Sequence, residues 1–205
     1  MSLYTLKPRF QRALGGVEGQ LVAWGVPADG LTASAVGAAG LAAALHTLGW
    51  DARWPGLWLV PVLALARLTL NALDGQVARR SGTARPWGLV LNEVGDRAAD
   101  LVFLAPLALV GPVSPRLGLA ALCLMLLSSL VGLLGAVLGA GRLTLGAFAK
   151  ADRMVALAVL YGLALALDAA WPLTALFVLV LVGSLVTLAQ RLAWLRAACR
   201  VEEGR

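Results

Sequence analysis

The 205-residue sequence predicts an all-α integral membrane bundle of about six transmembrane helices, preceded by an N-terminal interfacial amphipathic helix. Two features of composition carry this: 60% of the residues are hydrophobic, with mean hydropathy +0.84, and only 14% are charged, against about a quarter in ordinary soluble domains. The third observation is periodic. After residue 30, apolar stretches long enough to cross a hydrocarbon layer of roughly 30 Å, about 20 residues each, recur along nearly the whole chain.

Residues 4–24 mix Lys7, Arg9 and Arg12 with Phe10, Leu14, Val17, Leu21 and Trp24, which suits a helix lying in the membrane interface, with the Gly15-Gly16 pair expected to interrupt it. The spanning segments expected next are about 30–50, 54–78, 87–110, 116–139, 151–168 and 170–190, separated by Gly, Pro or charged breaks. The domain organisation read from this is an interfacial segment 1–29, a transmembrane domain 30–195 and a basic tail 196–205. The start does not read as a cleaved signal, because a basic, Trp-containing segment precedes the first apolar run.

The formal charge of +6 and pI near 10.3 do not point to nucleic acid, since the basic residues are spread through short connections. They mark sidedness instead. Lys7, Arg9, Arg12, Arg79, Arg80, Arg85, Arg97, Arg142, Lys150, Arg153, Arg191, Arg196, Arg200 and Arg205 fall on one side, and Arg53 and Arg116 on the other. Basic loops stay cytoplasmic, so both termini are expected in the cytoplasm of a cell whose inner membrane holds the protein. Cys123 and Cys199 form neither a disulfide framework nor a metal spacing.

The one dense charged segment is NALDGQVARRSGTARPWGLVLNEVGDRAAD, residues 71–100, which holds Asp74, Glu93, Asp96 and Asp100. Ionisable groups clustered at membrane depth are costly and mark a functional path. Helical spacing puts Asn71, Asp74 and Ala78 on one face and Gly88, Asn92, Asp96 and Asp100 on another, so two helices present carboxylates and amides to each other. Such oxygen ligands suit Mg²⁺ or Mn²⁺ bound together with substrate phosphates. Arg79, Arg80 and Arg85 stand beside the acids to neutralise a pyrophosphate, and Gly75 and Gly88 leave room for a ligand near the backbone. The structural alternative is a set of interhelical ion pairs with snorkelling arginines at a membrane boundary.

This segment resembles the signature of the CDP-alcohol phosphatidyltransferase family, D-x2-D-G-x2-A-R-x8-G-x3-D-x3-D. Asp74-Gly75, Ala78-Arg79, Gly88 and Asp96 match without a gap, while Asn71 and Asn92 stand at the first and third Asp. More loosely, the resemblance takes in the interfacial helix, the six spans, Pro27 and Leu31-Thr32 opening the first span, and basic residues before the fifth. It implies that a hydroxyl attacks the β-phosphorus of a CDP-linked alcohol or lipid, CDP-diacylglycerol foremost, with release of CMP in phospholipid synthesis. It also implies Mg²⁺ or Mn²⁺ bridging the pyrophosphate, with Asp74 and Asp96 as metal ligands and Asp96 as general base. Gly75, Ala78, Arg79, Gly88 and Thr32 would border the CDP donor, and a homodimer is expected. Each Asn keeps an oxygen but removes a charge, which lowers metal affinity; Asn71, Asn92 and Asp100 remain in the expected ligand set, with one metal or two.

Before the fifth span, Arg142, Lys150 and Arg153 are placed to bind an anionic alcohol acceptor, or serve as ordinary positive-inside residues and contacts to membrane lipid headgroups. Asp152 is expected to pair with one of them. His46, without a second His or Cys nearby, and the tryptophans at span ends read as structural and anchoring residues. Two further functions stay open: a catalytically impaired CDP-lipid-binding homologue, and a small transporter. The transporter fits poorly, because its path needs polar groups at several depths and here they gather at one end of the spans.

Overall fold

The computed structural model describes residue 10 and residues 12–139, 141, 143 and 146–203, so Lys7, Arg9, Arg142 and Arg205 lie outside the described residues. The described chain is helical, in the order α1 (Gly15–Ala23), α2 (Ala28–Gly49), α3 (Leu59–Arg80, entered through a 3₁₀ turn at Pro55–Trp58), α4 (Pro86–Leu109), α5 (Pro115–Val137), α6 (Lys150–Ala166) and α7 (Trp171–Glu203). Each apolar segment of the sequence coincides with a helix. The final one passes residue 195 without a break.

Four of these are long and apolar enough to cross a membrane by length and composition: Ala28–Gly49, Pro55–Arg80, Pro115–Val137 and Trp171–Arg200. The other two bundle helices differ for a physical reason. Helix α4 carries Glu93, Asp96, Arg97 and Asp100 along its face, and α6 is short, at 17 residues, with Lys150, Asp152 and Arg153 in its first turns. They are the two helices that bring most of the buried charge.

Local sequence sets the helix ends. Helix α1 stops where Gly25 takes a positive φ of 68°, and α3 where Gly82 takes 69°. At both ends the glycine N–H and the next N–H return to the last turn, Val26 to Leu21 O at 3.0 Å and Thr83 to Ala78 O at 3.0 Å, the pattern that closes a helix on a left-handed residue. Pro86 and Pro115 open α4 and α5 at first-turn positions, where proline costs no hydrogen bond. The N-terminal break falls at Leu14, a turn residue, and helix resumes at Gly15; the glycine pair therefore opens α1 instead of interrupting it.

Helix α2 packs on α3 and α4, α3 on α6, α4 on α5, and α7 on α5 and α6, while α1 lies against α3. The main core gathers Phe103, Leu104 and Leu107 of α4 with Met125, Leu157, Tyr161, Leu176 and Phe177, all fully buried. In lipid, apolar side chains gain little by leaving the surroundings, so close approach of small residues decides the packing. A Cβ on Gly95 would sit 3.0 Å from Thr32 Cγ2, and one on Gly118 would collide with Ala108. These glycines let α4 lie against α2 and α5.

The up-and-down order places the loops after α2, α4 and α6 at one end and the start of α2, the α3–α4 turn and the start of α6 at the other. At the first end His46 is fully buried and doubly satisfied, Nδ1 meeting the Tyr161 hydroxyl at 2.8 Å and Nε2 the Val110 carbonyl at 2.7 Å. Trp50 stacks beside it, 5.1 Å between centroids, so one of the expected anchors is also a packing residue. An exposed Arg53–Asp168 ion pair ties two loops together there.

Candidate active site

The second end contains a cavity of about 1250 Å³ reached by residues of α2 through α7. Asp74, one turn and a half before the end of α3, and Asp96, in the middle of α4, both line it, and both are buried. The tight closure of α3 at Gly82, followed by Pro86, turns the chain back, and α3 and α4 both pack on α2, which is what brings the two carboxylates into one space.

Asp74 is held by neutral donors. The Thr32 hydroxyl donates to Oδ2 at 3.0 Å, the Asn92 amide donates to the same oxygen at 2.8 Å, and the Gly75 N–H reaches Oδ1 at 2.6 Å. Among the described residues no cation forms an ion pair with it. Asp96 has the opposite surroundings: the Lys150 ammonium, at the first position of α6, pairs with Oδ1, and Arg97 stands 3.9 Å from Oδ2 while bonding Glu93 at 2.9 Å. A cation at a helix N-terminus opposes the helix dipole, so Asp96 offsets an otherwise unfavourable position for Lys150.

Asn71, Gly75, Ala78, Arg79, Gly88 and Asn92 line the same cavity. Arg79 is exposed to it and without an ion pair among the described residues, and a Cβ on Gly75 would lie 3.3 Å from its guanidinium. Arg85 pairs with Asp29 across the mouth and Arg80 approaches Glu18 at 3.8 Å, joining the α3–α4 turn to α1 and α2. Lys150 and Arg153 also reach the cavity, with Ser128, Ser129, Thr187 and Arg191 on its α5–α7 side. Asp152, expected to pair with a neighbouring base, accepts the Ala149 N–H at 2.8 Å and so caps α6.

Asp100 departs from the expected ligand set. It does not line the cavity; it is fully buried between two guanidinium groups, Arg67 at 2.6 Å on Oδ1 and Arg153 at 2.9 Å on Oδ2. Both of its oxygens are thereby occupied by charge-assisted bonds. Arg67 was missed by the sequence reading. It also donates to the Asp96 carbonyl at 3.2 Å and meets Met154 Sδ at 2.8 Å, locking α3, α4 and α6 together one turn below Asp96. The available signal was an arginine inside the apolar run VLALARLTL, which membrane depth makes as costly as an acid.

The residues fit a hard divalent ion. Asp74, Asp96, Asn71 and Asn92 all line the cavity and supply carboxylate and amide oxygens, the donors such an ion takes; Asn71 Nδ2 is buried without a hydrogen-bond partner. Yet among the described residues no group of three or more His, Cys, Asp or Glu side chains is placed to hold a metal, so carboxylates alone do not make the site.

No family model matches the chain. It is 33% identical over 172 residues to the inner membrane protein YnbA of Escherichia coli (strain K12), covering 83% of this chain and 84% of that protein. Among solved structures it is similar to Mycobacterium tuberculosis phosphatidylinositol phosphate synthase (PgsA1) with CDP-DAG bound, at a TM-score of 0.71 and 21% identity, over 89% of this chain and 92% of that one. The same enzyme in complex with manganese and citrate superposes at a TM-score of 0.71 and 21% identity, over 87% and 86%. At that identity the likeness is one of fold.

Proposed function

The chain belongs to the same family as the Escherichia coli inner membrane protein YnbA, and on that premise we propose that it is a CDP-alcohol phosphatidyltransferase of a cell inner membrane. The observation that carries the reading is the pairing of Asp74 and Asp96 across one cavity, with Arg79, Lys150 and Arg153 at its edge. The fold shared with a synthase solved with CDP-DAG bound supports CDP-diacylglycerol as the donor. In this reading Asn71 and Asn92 make the signature a variant one, all six long helices of the bundle span the membrane, and the cavity opens to the cytoplasm, where both termini lie. Residues 1–29 form an interfacial segment ahead of a 30–195 membrane domain and a 196–205 tail, and the chain assembles as a homodimer.

The reaction is a displacement at phosphorus. The acceptor hydroxyl oxygen bonds to the β-phosphorus of the donor, the anhydride bond to the α-phosphate breaks, CMP leaves with the bridging oxygen, and the hydroxyl proton passes to Asp96. Such transfers are accelerated chiefly by positioning and by cancelling charge on phosphate oxygens. Arg79 supplies positive charge to the pyrophosphate, Gly75, Ala78 and Gly88 allow the nucleotide against backbone, and Thr32 and Asn92 keep the Asp74 carboxylate turned into the cavity. Lys150 and Arg153 present positive charge to an anionic acceptor. A bound Mg²⁺ or Mn²⁺, held by Asp74 with the amide oxygens of Asn71 and Asn92, would supply further charge neutralisation for the pyrophosphate.

The test is CMP release by purified protein given CDP-diacylglycerol, Mn²⁺ or Mg²⁺ and a panel of alcohol acceptors. Metal-dependent release that one acceptor stimulates and that Asp96→Asn abolishes is the expected result. Binding of CDP-diacylglycerol without CMP release from any acceptor would replace this reading with that of a CDP-lipid-binding homologue.

A further inference from the structure

We propose that Lys150 acts as a built-in cation of the site, so that the chain takes a single divalent ion, centred on Asp74, where two cavity carboxylates would otherwise invite two. The proposal rests on the phosphatidyltransferase reading and deepens it.

Of the three acids that line the cavity, Asp29 pairs with Arg85, and the other two, Asp74 and Asp96, are unequally neutralised. Asp96 already carries the Lys150 ammonium, with Arg97 3.9 Å behind it. Asp74 is equally buried but, among the described residues, receives only the Thr32 hydroxyl, the Asn92 amide and the Gly75 N–H. A buried carboxylate with no cation beside it is the place a cation binds, and one already holding an ammonium is less so. The amides give the same count, because Asn71 and Asn92 add ligand oxygen without adding the negative charge a second divalent ion requires. Lys150 is fixed in this position: it stands at the start of α6, whose first turn is capped by Asp152 and whose Arg153 is tied to the buried Asp100. Asp100 cannot restore the missing charge, since Arg67 and Arg153 hold both of its oxygens. An ammonium here cancels one charge and, unlike a bound ion, does not leave with product.

The experiment counts Mn²⁺ on the purified chain by electron paramagnetic resonance, with Mn²⁺ alone and with Mn²⁺ plus CDP-diacylglycerol, while CMP release is followed in the same preparation. The expected result is one Mn²⁺ per chain with the six-line spectrum of an isolated ion, lost in Asp74→Asn. Lys150→Met should bind Mn²⁺ at least about tenfold more tightly, because Asp96 is then free to share in it, and Lys150→Arg should stay within about threefold of the parent protein. Two ions per chain, or the spectrum of a coupled pair, overturns the inference while metal-dependent CMP release leaves the transferase reading intact. Neither Mn²⁺ binding nor CMP release overturns both. Unchanged affinity in a folded Lys150→Met protein overturns the role given to Lys150 whatever the ion count.

Discussion

Replacing Asp100 by asparagine removes the one negative charge lying between two buried guanidinium groups, and its cost can be worked from the contacts. Arg67 and Arg153 each spend a bond on Asp100, at 2.6 Å and 2.9 Å, and side chains at all three positions are at most 5% exposed. Breaking a buried pair by deleting one partner costs about 3–5 kcal/mol because the other charge stays buried and uncompensated. Two cations are stranded here, which argues for the upper end. The asparagine oxygen still accepts one bond, returning about 1 kcal/mol, for a net loss of about 4 kcal/mol. In a chain of this size about 1 kcal/mol moves the melting temperature by about 2–4 °C, so the expected drop is on the order of 10 °C.

Arg67→Met sets the comparison. It leaves Asp100 and Arg153 as a one-to-one pair, and the methionine refills much of the volume, so the loss should be about 1–3 kcal/mol despite the missing bonds to the Asp96 carbonyl and Met154. Thermal unfolding in detergent, followed by tryptophan fluorescence, reads both. A melting temperature for Asp100→Asn within about 2 °C of the parent protein, or a larger loss for Arg67→Met than for Asp100→Asn, would refute the reasoning.

Other expectations rest on single contacts. Asp96→Asn should abolish CMP release, by at least about a hundredfold, while the purified protein keeps its helical circular dichroism; undiminished turnover removes Asp96 from the chemistry. In Asn92→Asp a second carboxylate meets Asp74 across the 2.8 Å now bridged by the amide, so melting should fall in chelator and rise more steeply with added Mn²⁺ than in the parent protein, and equal responses would place Asn92 outside the ion's reach. Gly95→Ile would push α4 off Thr32, whose Cγ2 stands 3.0 Å from the added Cβ, costing about 1–3 kcal/mol and weakening CDP-diacylglycerol binding as Thr32 leaves Asp74; unaltered binding would sever that link. Arg53→Ala removes an ion pair with Asp168 in which both side chains are about 70% exposed, and its melting temperature should change by no more than about 2 °C.

Much of the bundle is legible in one dimension because a membrane fixes helix length. Apolar run lengths and the Gly, Pro and charged breaks between them bring each bundle helix within about five residues of its position except the last, which runs on to Glu203 from an expected end near 190, and the Schellman closures at Gly25 and Gly82 follow from the only residue that accepts a positive φ freely. Helix spacing likewise puts Asp74 and Asp96 on faces that can meet. Spacing misleads at Asp100, which shares the four-residue register of Asp96 but points one turn deeper, where two arginines wait. It is silent about Arg67, whose charge reads in isolation as an oddity inside an apolar run.

What the sequence by itself determined, then, is the lipid-spanning helical class, the order of the helices and the segment whose Asp74 and Asp96 meet in the cavity, since hydropathy and local spacing are properties of contiguous residues. The tertiary structure decided which charges meet. Lys150 reaches Asp96 across 54 positions, Arg67 and Arg153 reach Asp100 across 33 and 53, and Thr32 reaches Asp74 across 42. Those partners are set by which helices pack together, and in a low-dielectric bundle the partner of a carboxylate determines whether it can accept a metal, a proton or neither.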